Sequence, residues 1–216
     1  MSFNQLIKEY DWDFTQLQFN YVDRDCQGGE TGLTCAREKG IGTIIMEPLR
    51  GGQLANDLNP VISKELSAEN PQKTLAAWGF EYLWNHPCVD IVLSGMNTMK
   101  QLTENIELAA NARPGMLSES EEAALERAGK LYQDMMRVPC TVCRYCGSIC
   151  PQNIWIPGCM EAYNRVNITN ILDAKYTYRG ATRDSEVCVG CGACKEICPQ
   201  HIDIPEIIKE LQILFP

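Results

Sequence analysis

The sequence predicts an α/β protein in two parts, and three observations carry that prediction. Over residues 1–117, strand-like apolar runs alternate with helix-like stretches three times in succession. A capped helical stretch at 118–138 then leads away from them, and residues 139–216 are organised on two cysteine runs of identical spacing. Strand, helix, strand, helix, strand, helix is the pattern of parallel β/α units. Three units make an incomplete (β/α)8 barrel or a narrow doubly wound sheet, and no G-x-G-x-x-G turn follows any strand to favour the latter.

The chain opens with a helix at Phe3 to Tyr10, where Phe3, Leu6, Ile7 and Tyr10 fall at helical spacing. Phe14 to Val22, rich in aromatic and β-branched residues, reads as the first strand. After a turn through Asp23 to Gly29, a helix from Glu30 to Lys39 stops at Gly40. Thr43 to Glu47 is a compact apolar strand, Thr74 to Asn85 an apolar helix, and Val89 to Leu93 the third strand. Between the last two strands, Asn59-Pro60 and Glu69-Asn70-Pro71 bound a polar stretch. Thr98 opens a helix through Leu102, Ile106 and Ala110. Ser118-x-x-Glu121 is a capping box, and the helix it starts carries Leu125, Ala128, Leu131, Met135 and Met136 as a packing stripe.

Eight of the twelve cysteines lie in the two runs: Cys140, Cys143, Cys146, Cys150 before Pro151, and Cys188, Cys191, Cys194, Cys198 before Pro199. C-x2-C-x2-C-x3-C-P is the ligand spacing of bacterial two-cluster ferredoxins, in which the fourth cysteine of each run serves the other cluster. The spacing therefore predicts two 4Fe-4S clusters, one on Cys140, Cys143, Cys146 and Cys198, the other on Cys188, Cys191, Cys194 and Cys150. Structural zinc more commonly uses two C-x2-C pairs across a longer loop, and a disulfide framework suits short secreted chains. The runs repeat beyond the cysteines, with Ile154 matching Ile202, Ile156 matching Ile204 and Pro157 matching Pro205. Gly147, Gly190 and Gly192 are expected to let backbone N–H groups approach the sulfides. Helices are expected at Cys159 to Val166 and Ile204 to Leu214. Cys159, Cys26, Cys35 and Cys88 fall outside the ligand pattern and read as small buried hydrophobes, while His201 is expected on the surface or beside a ligand and His86 at a helix end.

The composition, 45% hydrophobic and 22% charged, is that of a globular chain, expected to be cytoplasmic since no apolar signal segment follows Met1. No apolar run approaches the roughly 20 residues of a membrane span. A formal charge of -9 argues against a nucleic-acid partner.

The stretches WDFTQLQFNYVD from Trp12, GIGTIIMEPLRGGQLA from Gly40 and VDIVLSGMNTMKQLTENI from Val89 resemble the last three β/α units of the aldo/keto reductases. With CPQNIWIP and CPQHIDIP, the whole resembles members of that family that carry a C-terminal ferredoxin-type domain. The resemblance implies that the chain is the C-terminal part of a longer NAD(P)H-dependent oxidoreductase acting on a small carbonyl substrate or a redox partner protein. The family's catalytic Asp, Tyr, Lys and His belong to earlier strands, so no residue here inherits a catalytic role.

For the nicotinamide cofactor, the resemblance places Gln18 against the carboxamide, Gly51, Gly52 and Gly95 at the phosphates, and Glu104 with Asn105 at the adenine. Met46 stands where the family often stacks a tyrosine, and Gln101 replaces the arginine that grips a 2′-phosphate, which leaves NAD and NADP both open. Three functions compete: an NAD(P)H-linked oxidoreductase with electron-relaying clusters, a ferredoxin-type module on a barrel platform, and a domain in which the clusters are structural. The open edge of three barrel strands is expected to favour self-association.

Overall fold

The structure is a computed structural model and describes residues 3–56, 59–183 and 187–216. The chain divides into two compact units, Met1–Leu131 and Tyr132–Pro216.

The first unit is a mixed α/β fold around a small parallel sheet. Its strands are β1 (Phe14–Gln18), β2 (Gly42–Met46) and β3 (Ile91–Val92). They are paired in sequence order with β2 in the centre, Gln18 opposite Met46 and Ile45 opposite Val92. Helix α1 (Phe3–Glu9) precedes β1, and α2 (Gly29–Glu38) crosses from β1 to β2. Two helices, α3 (Pro60–Glu69) and α4 (Leu75–Asn85), join β2 to β3. Leu17, Phe19, Ile45, Leu66, Trp78 and Leu83 form the buried centre.

The first strand is shorter than the expected Phe14 to Val22. Beyond Gln18, the Asn20 side chain accepts the N–H groups of Val22 and Asp23 at 3.0 and 2.8 Å, which turns the backbone out of the ladder. Helix α3 occupies the stretch that reads as polar. Asn59 caps it by accepting from the N–H groups of Val61 and Ile62, Pro60 sits where no N–H is needed, and Ile62 and Leu66 are its buried face. Helix α5 (Met99–Ala110) starts at Thr98, and Gln101 completes a capping box there. None of the residues of α5 is buried.

Helix α6 (Glu119–Met135) begins with the expected capping box: the Glu121 N–H donates to Ser118 Oγ and the Ser118 N–H to Glu121 Oε2. The division between the units falls inside this helix, after Leu131. Burial alone would raise the Glu121 pKa. Hydrogen bonds from Lys73 and the Ser118 backbone outweigh it and hold the carboxyl at about 2.

The second unit is helical. Helix α7 (Ile156–Ile168) packs closely on α8 (Ile171–Ala181), the short α9 (Ala193–Glu196) follows, and α10 (Ile204–Leu214) lies against α7. Asn170 caps α8 through the N–H groups of Leu172 and Asp173. The core gathers Ile154, Ile156, Met160, Ile204, Ile208 and Leu211, with Cys140, Cys146, Cys150, Cys188 and Cys198 packed against it. No described helix is long and apolar enough to cross a membrane.

Candidate metal centre

Two recesses open in the second unit, and each collects cysteines from both runs. The first, about 370 Å³ counted with the solvent it opens to, is lined by Cys140, Cys143, Cys146 and Cys198. The second, about 330 Å³, is lined by Cys150, Cys188, Cys191 and Cys194. Three cysteines of one run and the fourth of the other thus line each recess. The remaining walls are largely apolar: Pro157, Met160 and Ile204 in the first, Ile156, Pro205 and Ile208 in the second. Four soft donors in a largely apolar socket suit an iron-sulfur cluster, whose ligands are thiolates and whose potential depends on solvent exposure.

Local backbone geometry makes this grouping. Cys150 and Cys198 are each followed by proline and a turn in which the N–H of Asn153 or His201 donates to the cysteine carbonyl, at 3.2 and 3.1 Å. Asn153 and His201 then take left-handed conformations, φ 56° and 53°. Upstream, Val142 and Arg144 have φ 55° and 66°, and their repeat equivalents Gly190 and Gly192 have φ 67° and 81°. Positive φ brackets the second cysteine of each run, so the chain curls around the recess.

The thiols are electrostatically coupled within each recess. Burial pushes the Cys146 thiol up to about 11, reinforced by Cys140, Cys143 and Cys198. Cys194 is likewise raised to about 11 by burial, with Cys188 and Cys191 adding to it. A metal held at these positions would displace the thiol protons, since only thiolates ligate. Cys159 on α7 is fully buried and raised to about 12 by burial, then by Cys150, Cys188 and Cys146. Cys26, Cys35 and Cys88, expected to be buried, are partly exposed.

The Gly147 N–H donates to the Arg144 carbonyl at 2.9 Å within the turn. A Cβ there would come within 2.7 Å of the Trp155 ring, so the glycine makes room for the indole. His201 is exposed, and its N–H closes the turn on Cys198.

Residues 139–202 match the 4Fe-4S dicluster domain family. No match to the chain was found among curated protein sequences. The dicluster domain covers both cysteine runs and marks this unit as an iron-sulfur, electron-transfer module.

The residues singled out for a nicotinamide cofactor lie in the first unit. Gln18 is buried at the end of β1, where its Nε2 donates to Asp23 Oδ2 at 2.9 Å and its N–H to Gln27 Oε1 at 3.0 Å. The same Asp23 oxygen accepts from Asn20 Nδ2 and from Arg50 Nε, both at 3.0 Å. This buried Gln18–Asn20–Asp23–Arg50 knot at the carboxyl ends of β1 and β2 has no sequence signal, because Arg50 reaches it from 27 residues away, in the loop after β2. Gly51 and Gly52 follow Arg50 with φ 63° and 87°. Space is open around Gly95, where nothing would lie within 4 Å of an added Cβ. Glu104 accepts from Thr74 Oγ1 at 2.5 Å, and Asn105 Nδ2 donates to Ser94 Oγ at 2.9 Å.

Proposed function

We propose that Cys140, Cys143, Cys146 and Cys198 hold one 4Fe-4S cluster, that Cys188, Cys191, Cys194 and Cys150 hold the other, and that the second unit relays single electrons. The observation that carries this reading is the sorting of the cysteines into two recesses, three from one run and one from the other in each. Bound clusters supply one-electron redox chemistry. The chain supplies eight thiolates, apolar walls and backbone turns that hold those thiolates around each recess.

Further, the first unit is the last part of an aldo/keto-reductase-like barrel that binds NAD(P)H. Support comes from parallel strands paired in sequence order, from the left-handed Gly51-Gly52 turn after β2, and from the open backbone at Gly95 after β3. Phosphate binding after the last strands is a recurring property of such barrels. The uncovered edges of β1 and β3 are where further strands or a second chain would pair. A nicotinamide gives up two electrons as hydride whereas a cluster takes one, so no direct transfer between them belongs to this reading.

The test is an EPR-monitored redox titration of the reconstituted chain, with Cys150→Ser alongside. Reversible reduction supports the relay, and Cys150→Ser then loses the cluster of Cys188, Cys191 and Cys194. Clusters inert down to potentials near or below about -400 mV overturn the relay, and loss of the cluster of Cys140 in Cys150→Ser overturns the crossed ligation. For the first unit, NADPH and NADH titrations read by cofactor fluorescence should saturate and weaken in Gln18→Ala; unchanged binding in that variant removes Gln18 from the site.

A further inference from the structure

The two cysteine runs adopt matching backbone signs with unequal ease. In the second run the left-handed positions flanking Cys191 are Gly190 and Gly192, for which positive φ has no steric cost. In the first run the same positions are Val142 and Arg144, and a β-branched residue at positive φ is an outlier among L-residues. Such a conformation persists only where the surroundings over-determine it.

The chain supplies that constraint just upstream. Asn164 on α7 is buried, and its Oδ1 accepts the N–H of Arg137 at 2.9 Å and the N–H of Val138 at 3.0 Å. Its Nδ2 donates to the Val138 carbonyl at 3.0 Å, and that same carbonyl accepts the N–H of Cys140 at 2.8 Å. One amide side chain therefore fixes two consecutive residues and shares an acceptor with the first cysteine. The preceding residue on α7 adds to the grip. The Arg137 guanidinium lies 3.8 Å from the Tyr163 ring centroid, and the Tyr163 hydroxyl donates to Glu210 Oε2 at 2.5 Å. One repeat offset along from Asn164, position 212 is glutamine, so the clamp is not a feature of the repeat.

We infer that Asn164 is the positioning residue of the first cluster: by tying Arg137 and Val138 to α7 it holds the strained Cys140–Cys146 loop in its ligating conformation. This rests on the crossed ligation proposed above. The second cluster, wrapped by glycines, does not depend on it.

The test follows loss of each cluster in the reconstituted 216-residue chain under an iron chelator, by absorbance and by EPR of the reduced protein. Two backgrounds separate the sites: Cys150→Ser, which retains the first cluster, and Cys198→Ser, which retains the second. If these two variants alone fail to isolate different clusters, the ligation reading fails, and the Asn164 inference with it. If they succeed, Asn164→Ala accelerates loss in the Cys150→Ser background by about tenfold, the factor expected for one or two lost hydrogen bonds. It leaves the Cys198→Ser background unchanged.

Asn164→Asp keeps the acceptor for both N–H groups and restores much of the lifetime, and adding Val142→Gly to Asn164→Ala restores part of it by relieving the strain. Equal acceleration in both backgrounds, or none in either, overturns the inference. Should Asn164→Ala fail to fold by circular dichroism, Val142→Gly alone decides: it slows loss of the first cluster if the loop is strained, and an unchanged rate sinks the proposal.

Discussion

The first cysteine run and the second enclose recesses of similar size with similar walls, yet they are stabilised differently. The second run relies on Gly190 and Gly192, which accept left-handed backbone without strain, and its Cys191 is exposed, as are Val187 and Val189. The first run forces Val142 and Arg144 into the same region, and its Cys143 is half-buried. It compensates with tertiary contacts: Asn164 grips the approach to Cys140, and Trp155 packs over Gly147. The difference teaches that the spacing of the cysteines prescribes the backbone path, while different residues satisfy that path.

The strongest way to probe the pairing is to cut its apolar walls. Ile204 lines the first recess and Ile156 the second, and both are almost fully buried. Each change to Ala should cost about 2–4 kcal/mol in denaturant unfolding. Each should also shift one potential, that of the recess it lines. A shift in both potentials from either variant would mean that the recesses are not independent.

Next in size is the contrast at a single repeat position. Gly147→Ala drives a Cβ into Trp155 and the Arg144 carbonyl and should destabilise by about 1–3 kcal/mol. The equivalent Lys195 is exposed, and Lys195→Ala should leave the unfolding midpoint nearly unchanged.

Smaller still is the exchange of backbone strain. Gly190→Val should lower stability by about 1–2 kcal/mol, and Val142→Gly should cost nothing or raise it slightly. Equal losses from both would erase the distinction between the runs.

An internal control lies in the first unit, outside both runs. The Glu121 carboxyl, at about 2 in the folded chain against an ordinary 4.5, stabilises the fold above about pH 4.5 and loses that contribution as pH falls toward 2. Glu121→Gln should therefore be less stable than the parent by about 1 kcal/mol near pH 6, after solvent screening, and the gap should narrow steadily toward pH 3. A gap independent of pH would assign the effect to the capping box.

Much of the fold was legible because it is local. Helices α4 and α10 follow from apolar period, and α6 from its Ser118–Glu121 box, all within one or two turns of chain. Helix α3 was not legible, since only Ile62 and Leu66 of its ten residues are buried and period needs more than two points to register. The end of β1 was hidden for another reason. Asn20 reads as a strand residue until its side chain is seen capturing two backbone N–H groups. Gln101 reads as a missing phosphate contact, whereas in the fold it closes the cap of α5.

By itself the sequence determined the two cysteine runs, their common spacing and the prolines that end each run, because ligand spacing is a local code written along the chain. Tertiary structure alone decided which side chains make that backbone affordable. Asn164 lies 26 residues from Val138 in sequence, and Trp155 meets Gly147 across the turn behind Cys150. Hydrogen-bond geometry and steric fit between distant residues leave no periodic trace, so the strained loop and its clamp became visible only in the folded chain.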